Sequence, residues 1–325
     1  MMWIRKTPYK KNKDQGIITL KKVTIGKIDQ WIMIRGTDRS NPILLFLHGG
    51  PGAAQIGFAR PFQSTLEEHF IVVNWDQRGA GLSYSKHLTA TSMTINQFVS
   101  DLLEVVQWLR QELKHEKVYL VGHSWGSIIG MLAVQKRPEW FYAYFGVGQV
   151  ADINKGDFIS YEYTLRCAKV SQNKKAILEL QAIGEPPWNN IKHERIHQKW
   201  LKKFGGYYKQ KNLVAKFSKY MLLNSEYRLI DLFKHIKGQQ FSMSHIHDEM
   251  SAVNLTEQVT EVQVPVFFCI GRHDYLTPYE LAEEYYKILK APQKSYIWFE
   301  HSAHSPHFEE SEKFNEFLIK HAVYD

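Results

Sequence analysis

Over the first half of the chain, short runs of β-branched and aromatic residues alternate with longer segments of helical period. This is the pattern of strand–helix–strand units that build a mostly parallel sheet. Gly16 to Val23 and Gln30 to Ile34 read as an antiparallel pair at a sheet edge. Ile43-Leu44-Leu45-Phe46-Leu47 is apolar at every position, as a strand covered on both faces must be. Phe70 to Trp75 is the next strand. From Thr94, the apolar residues Ile95, Phe98, Leu102, Val105, Val106 and Leu109 keep a helical period, and Thr94 with Gln97 has the form of a capping box. Val118 to Val121 predicts a strand, Ile128 to Gln135 a helix stopped near Pro138, and Tyr142 to Val147 a further strand.

The rhythm breaks near Val150. To about Val262 the chain is helical in pattern, rich in Lys and Tyr, and punctuated by Gly184-Glu185-Pro186-Pro187 and Phe204-Gly205-Gly206. Strand patterns resume at Val264 to Ile270 and Ser295 to Phe299, and an amphipathic helix from about His307 to His321 closes the chain. The expected architecture is an α/β core of residues 1–150 and 262–325 with an inserted helical cap over residues 151–261. No internal repeat or low-complexity tract is apparent.

Composition narrows this picture only slightly. A chain of 325 residues with 44% hydrophobic content buries a sizeable core. The basic N-terminal run Met1 to Lys11 leads into polar residues, so no secretory signal is expected. No apolar run approaches the roughly 18 to 20 residues that span a bilayer, which argues against membrane insertion and leaves a peripheral contact open. The net charge of +8 invites a nucleic-acid reading, but the Lys and Arg residues are scattered and no nucleic-acid fold signature accompanies them. The two cysteines, Cys167 and Cys269, have no metal-ligand spacing, and a reducing cytoplasm is the expected location.

The chemistry concentrates in four loops. Gly122-His123-Ser124-Trp125-Gly126 has the form G-x-S-x-G between a predicted strand and a predicted helix. There the serine sits on a tight turn and the flanking glycines avoid backbone clashes. Serine is a weak nucleophile at its free pKa and needs a base, an orienting acid and an oxyanion hole. His48-Gly49-Gly50-Pro51-Gly52 follows the buried strand ending at Leu47, and the amides of Gly50 and Trp125 are the candidate oxyanion donors. Asp274 follows the strand ending at Ile270, in position to accept the Nδ1 proton of a histidine. Three histidines, His301, His304 and His307, share the loop after Phe299; His304, in Ala303-His304-Ser305-Pro306, is the preferred base.

With these residues placed, the chain resembles the proline iminopeptidase branch of the α/β-hydrolases. The likeness is carried by His48-Gly49-Gly50-Pro51-Gly52, by Trp75-Asp76-Gln77-Arg78-Gly79-Ala80-Gly81-Leu82-Ser83 and by Gly122-His123-Ser124-Trp125-Gly126-Ser127. It implies the α/β-hydrolase fold, with a mostly parallel central sheet flanked by helices and a helical cap. It also implies a triad of Ser124, Asp274 and His304, an acyl-enzyme intermediate, and neither metal nor organic cofactor. Asp76 and Arg78 are expected to pair and hold loops beside the oxyanion turn. In that family acidic cap residues hold the free α-ammonium group of a small peptide, and Glu162, Glu226 and Glu249 are the candidates here. Tyr275 follows the triad acid in place of a family glutamate, a departure that bears on aminopeptidase specificity and not on the hydrolytic chemistry. Trp188, Trp200, Tyr161 and Tyr163 are candidate wall residues of the pocket or members of the cap core.

Two rival readings stand beside the aminopeptidase. One is a carboxylesterase or carbon–carbon bond hydrolase, since the same triad serves many acyl substrates. The other is a non-catalytic receptor on the same fold. Haloalkane dehalogenases and epoxide hydrolases require an aspartate where Ser124 stands.

Overall fold

The computed structural model describes residue 7, residues 15–188 and residues 190–322. The N-terminal run read above for a secretory signal lies outside the described residues apart from Thr7. Eight strands form one sheet: β1 (Ile17–Ile25), β2 (Ile28–Gly36), β3 (Ile43–Leu47), β4 (Ile71–Asp76), β5 (Val118–His123), β6 (Phe141–Val147), β7 (Val266–Gly271) and β8 (Lys294–Phe299). Their spatial order is β1-β2-β4-β3-β5-β6-β7-β8. The β1–β2 and β2–β4 pairs are antiparallel and all the others parallel, so the expected edge hairpin is present and the remainder is the parallel core.

Strand β3 shows why an uninterrupted apolar run belongs at the centre. Ile43, Leu45 and Leu47 enter one hydrophobic cluster while Leu44 and Phe46 enter another, so alternate side chains fill opposite faces of the sheet. Helices α1 (Ile95–Leu113) and α2 (Trp125–Lys136) supply Phe98, Leu102, Val106, Ile128 and Ile129 to the first cluster. The predicted cap of α1 is half formed: Thr94 accepts from the Gln97 N–H at 3.1 Å, but the Gln97 side chain turns to Asp101 at 2.7 Å. Asp101 anchors Arg78, so it draws Gln97 away from the reciprocal bond of a box.

Between β6 and β7 lie α3 (Ile153–Val170), α4 (Lys174–Ile183), α5 (Ile191–Lys203), α6 (Leu213–Leu223) and α7 (Leu229–Ser251). The insertion is closed at its base by an antiparallel bridge, Asp152 to Asn254, with Ile153 N–H donating to Val253 O at 3.1 Å. Tyr161, Ala168, Leu180, Trp188 and Trp200 make a hydrophobic cluster of the insertion's own. Helix α8 (Tyr279–Ile288) links β7 to β8 and returns Leu281 and Tyr285 to the main core. The closing helix is shorter than its pattern suggests: a four-residue turn, Pro306–Glu309, is separated by Glu310 from α9 (Ser311–His321). Glu310 has non-helical backbone angles, and its carboxylate accepts from the His301 N–H and the Ser302 hydroxyl, which ties the break to the preceding loop. Among the described residues no helix is long and apolar enough to cross a membrane.

Candidate active site

Ser124 joins the end of β5 to the start of α2 and holds φ +54°, ψ −119°, a conformation that non-glycine residues rarely adopt. The turn is forced by close packing on both sides. A β-carbon on Gly126 would stand 2.4 Å from Leu47 O, and one on Gly122 would stand 2.7 Å from Gly126 O. Ser127 locks the elbow from behind: its hydroxyl donates to Ser124 O at 2.6 Å and accepts from the Val150 N–H at 3.0 Å. The Ser124 N–H is engaged with Val147 O at 2.9 Å. The Trp125 N–H lies in the first turn of α2, where amides have no partner within the helix, and it is therefore placed to meet an anion.

The candidate acid and base lie on later loops. Asp274, after β7, accepts at Oδ1 from the Leu276 and Thr277 N–H groups, both at 3.0 Å. Its Oδ2 accepts from the Thr277 hydroxyl at 2.8 Å and lies 2.9 Å from His304 Nδ1. Asp274 and His304 are 1% and 2% exposed, so this is a water-poor contact in which a carboxylate strongly favours one imidazole tautomer. His301 is exposed, and His307 is buried between His123 and Phe308. The ring of His123, the elbow residue, reaches His304 O at 3.0 Å and so ties the elbow to the base's loop. Burial, the largest influence, then the nearby His307 and His304, holds its pKa well below the ordinary value.

The loop after β3 is fixed by Gln77. Its N–H donates to His48 Nε2 at 3.1 Å, its side-chain amide donates to His48 O at 3.0 Å, and its Oε1 accepts from Trp125 Nε1 at 3.0 Å. Burial pushes the His48 imidazole down to about 4, so it is neutral and accepts from Gln77 while its Nδ1 faces Gly49 O at 2.9 Å. The segment does brace the loop after β3, but not through the expected Asp76–Arg78 pair. Arg78 binds Asp101 through Nε at 2.8 Å and Nη2 at 3.0 Å, whereas Asp76 accepts from Tyr227 Oη at 2.5 Å and from the Leu82 N–H at 2.9 Å. The two residues thus serve different partners, and burial raises the Asp76 carboxyl to about 7.

Gly50, Ser124, Trp125 and His304 line one cavity of about 640 Å³ with Trp188, Tyr207 and Phe308. The three glutamates singled out in the sequence are elsewhere. Glu162 is exposed on α3, Glu249 is exposed and accepts from the Ile95 N–H, and Glu226 is buried against Thr7 and Arg60. The acidic side chains on the cavity wall are Asp157 of α3 and Glu194 of α5, with His247 of α7 at 2.5 Å from Glu194. Burial, then the neighbouring Glu194, raises Asp157 to about 7; burial also raises Glu194, against the pull of His247. Neither residue lies in a motif, and the helical pattern of the cap does not say which face of α3 or α5 looks down. Of the cap aromatics, Trp188 reaches the cavity, Tyr161 and Trp200 lie in the cap cluster, and Tyr163 stacks on Tyr275 at 3.6 Å.

A serine at a strained strand–helix elbow and an acid–base pair on later loops of a mostly parallel sheet define a serine hydrolase of the α/β-hydrolase fold. Residues 38–311 match the model of the serine aminopeptidases, S33, and the chain belongs to that family. It is 40% identical over 314 residues to a probable aminopeptidase, YbaC, of Bacillus subtilis (strain 168), covering 95% of this chain and 97% of that protein. A proline iminopeptidase of Heyndrickxia coagulans is 25% identical over 272 residues, 83% of this chain and 87% of its own. The crystal structure of a proline iminopeptidase of Mycobacterium smegmatis superposes with a TM-score of 0.69 at 18% identity, covering 93% of this chain and 97% of that one. That likeness is one of fold.

Proposed function

We propose that the protein is an aminopeptidase of proline iminopeptidase type that removes N-terminal residues from small peptides. Ser124 attacks the scissile carbonyl, His304 takes its proton and returns it to the leaving amine, and Asp274 holds the imidazole. The amides of Gly50 and Trp125 stabilise the tetrahedral oxyanion, and water then releases the acyl-enzyme. In this reading residues 1–150 and 262–325 are the hydrolase core, residues 151–261 the cap, and the site of action the cytoplasm.

The observation that carries the reading is a shared cavity: Ser124 below, Asp157 and Glu194 above. A free α-ammonium held by these carboxylates would present the first peptide bond to Ser124, replacing the role first given to Glu162, Glu226 and Glu249. The aminopeptidase and proline iminopeptidase names of the relatives agree with it.

The test compares a proline arylamide with its N-acetylated form and with short-chain nitrophenyl esters. Rapid cleavage of the free-amine arylamide, lost on acetylation and in Ser124→Ala, is the expected result. Rapid ester cleavage with negligible turnover of the arylamide would replace the aminopeptidase by an esterase. Failure of a fluorophosphonate to label Ser124 would remove the nucleophile itself.

A further inference from the structure

The junction of α6 and α7 carries large apolar side chains in water. Leu222, Leu223, Leu229, Ile230 and Phe233 are 60% to 72% exposed, and they flank the short connection of residues 224–228, which brings them to one corner of the cap. Val214 and Ile236, also more than half exposed, continue the apolar surface to the cavity wall. A soluble protein rarely leaves so much contiguous apolar area without a use.

The exposed charges of this stretch of chain have one sign, and Lys219, Arg228 and Lys237 are those on or beside the corner, Lys209 and Lys211 lying before the other end of α6. Between residues 209 and 240 the acidic side chains are Glu226 and Asp231, both fully buried, whereas Lys209, Lys211, Lys219, Arg228 and Lys237 are exposed. Apolar residues that protrude from a helical corner, flanked by Lys219, Arg228 and Lys237 and with no exposed acid between residues 209 and 240, combine shallow insertion with attraction to anionic headgroups. A second copy of the chain is a poorer occupant, because pairing this face with itself would oppose like charges.

We propose that the α6–α7 corner is a docking surface for an anionic membrane, which it engages peripherally with Leu229, Ile230 and Phe233 in the headgroup boundary. The proposal concerns where the enzyme works and is independent of which acyl group Ser124 meets.

Co-sedimentation of the full chain with phosphatidylcholine vesicles, with and without phosphatidylglycerol, tests it. The expected result is binding to the anionic vesicles at low salt, at least tenfold weaker to phosphatidylcholine alone or at high salt. Leu229→Glu with Phe233→Glu should abolish it, and Lys219→Gln with Lys237→Gln should weaken it roughly tenfold. Both double variants should retain ester hydrolysis, since none of the four residues lines the cavity. Absence of binding to anionic vesicles, binding unaffected by these substitutions, or a concentration-dependent dimer that Leu229→Glu with Phe233→Glu dissolves would each overturn the proposal.

Discussion

Gly148, just past β6, lies directly against His304: a β-carbon on it would stand 2.8 Å from both Cε1 and Nδ1 of the imidazole. Its φ of +52° adds a second demand for glycine. Gly148→Ala should therefore displace the ring from Asp274. The expected loss is about 100-fold in kcat, the scale of a misplacement near 1 Å, with a smaller fall in melting temperature, read by ester turnover and thermal unfolding.

Asp157→Asn and Glu194→Gln should each raise KM for a free-amine substrate while leaving nitrophenyl ester hydrolysis near that of the wild type. A hydrogen bond to a charged group is worth about 1.5–3 kcal/mol, so the expected loss in kcat/KM is roughly ten- to hundredfold. Equal losses on amide and ester would mean that these residues support the fold and do not read the amine.

The same pair sets a pH signature. With Asp157 held near 7, its carboxyl is neutral below that pH and charged above it. KM for the free-amine substrate should fall as pH rises from 6 to 8, and Asp157→Asn should remove that component. Parallel profiles for wild type and variant would rule out the assignment.

Gln77→Ala breaks the bridge between the His48 loop and Trp125, leaving His48 O and Trp125 Nε1 without this partner. Each buried group so orphaned costs about 1–3 kcal/mol. The variant should melt lower and lose roughly tenfold in kcat with little change in KM, because the amides proposed as oxyanion donors would act on the transition state.

His307 is buried with both ring nitrogens unbonded and packed on Phe308 and Phe314, and burial depresses it to about 3. An unfolded histidine titrates near 6.5, so acid favours the unfolded chain: stability contributed by the neutral ring is present above pH 6.5 and declines below it. His307→Phe should flatten this limb, gaining about 2 kcal/mol over the wild type at pH 5. Denaturant melts at pH 5 and 7.5 measure the difference.

Much of the core was legible because its signals are local. The apolar run of β3 must be covered twice, and the Gly122 to Gly126 motif states its own steric reason. The preference for His304 over His301 and His307 rests in sequence on its place in the loop just ahead of the closing helix, and the 2.9 Å contact with Asp274 gives it a geometric basis. What could not be read depends on distant partners. Asp76 and Arg78 are two residues apart, yet their partners, Tyr227 and Asp101, come from different helices or loops. Likewise nothing in the sequence separates Asp157, on a cavity wall, from Glu162, five residues on and facing water.

Two main-chain carbonyls of the cap hold the loops of Asp274 and His304: Gly206 O accepts from the Tyr275 N–H at 3.0 Å and Tyr207 O from the His304 N–H at 3.1 Å. The joint is made by backbone, and its path requires a small residue at 206, since a β-carbon there would stand 2.5 Å from Leu201 Cδ1 and 2.9 Å from Tyr163 Cε1. A chimera that grafts a foreign roof should succeed or fail on whether this turn is copied in shape.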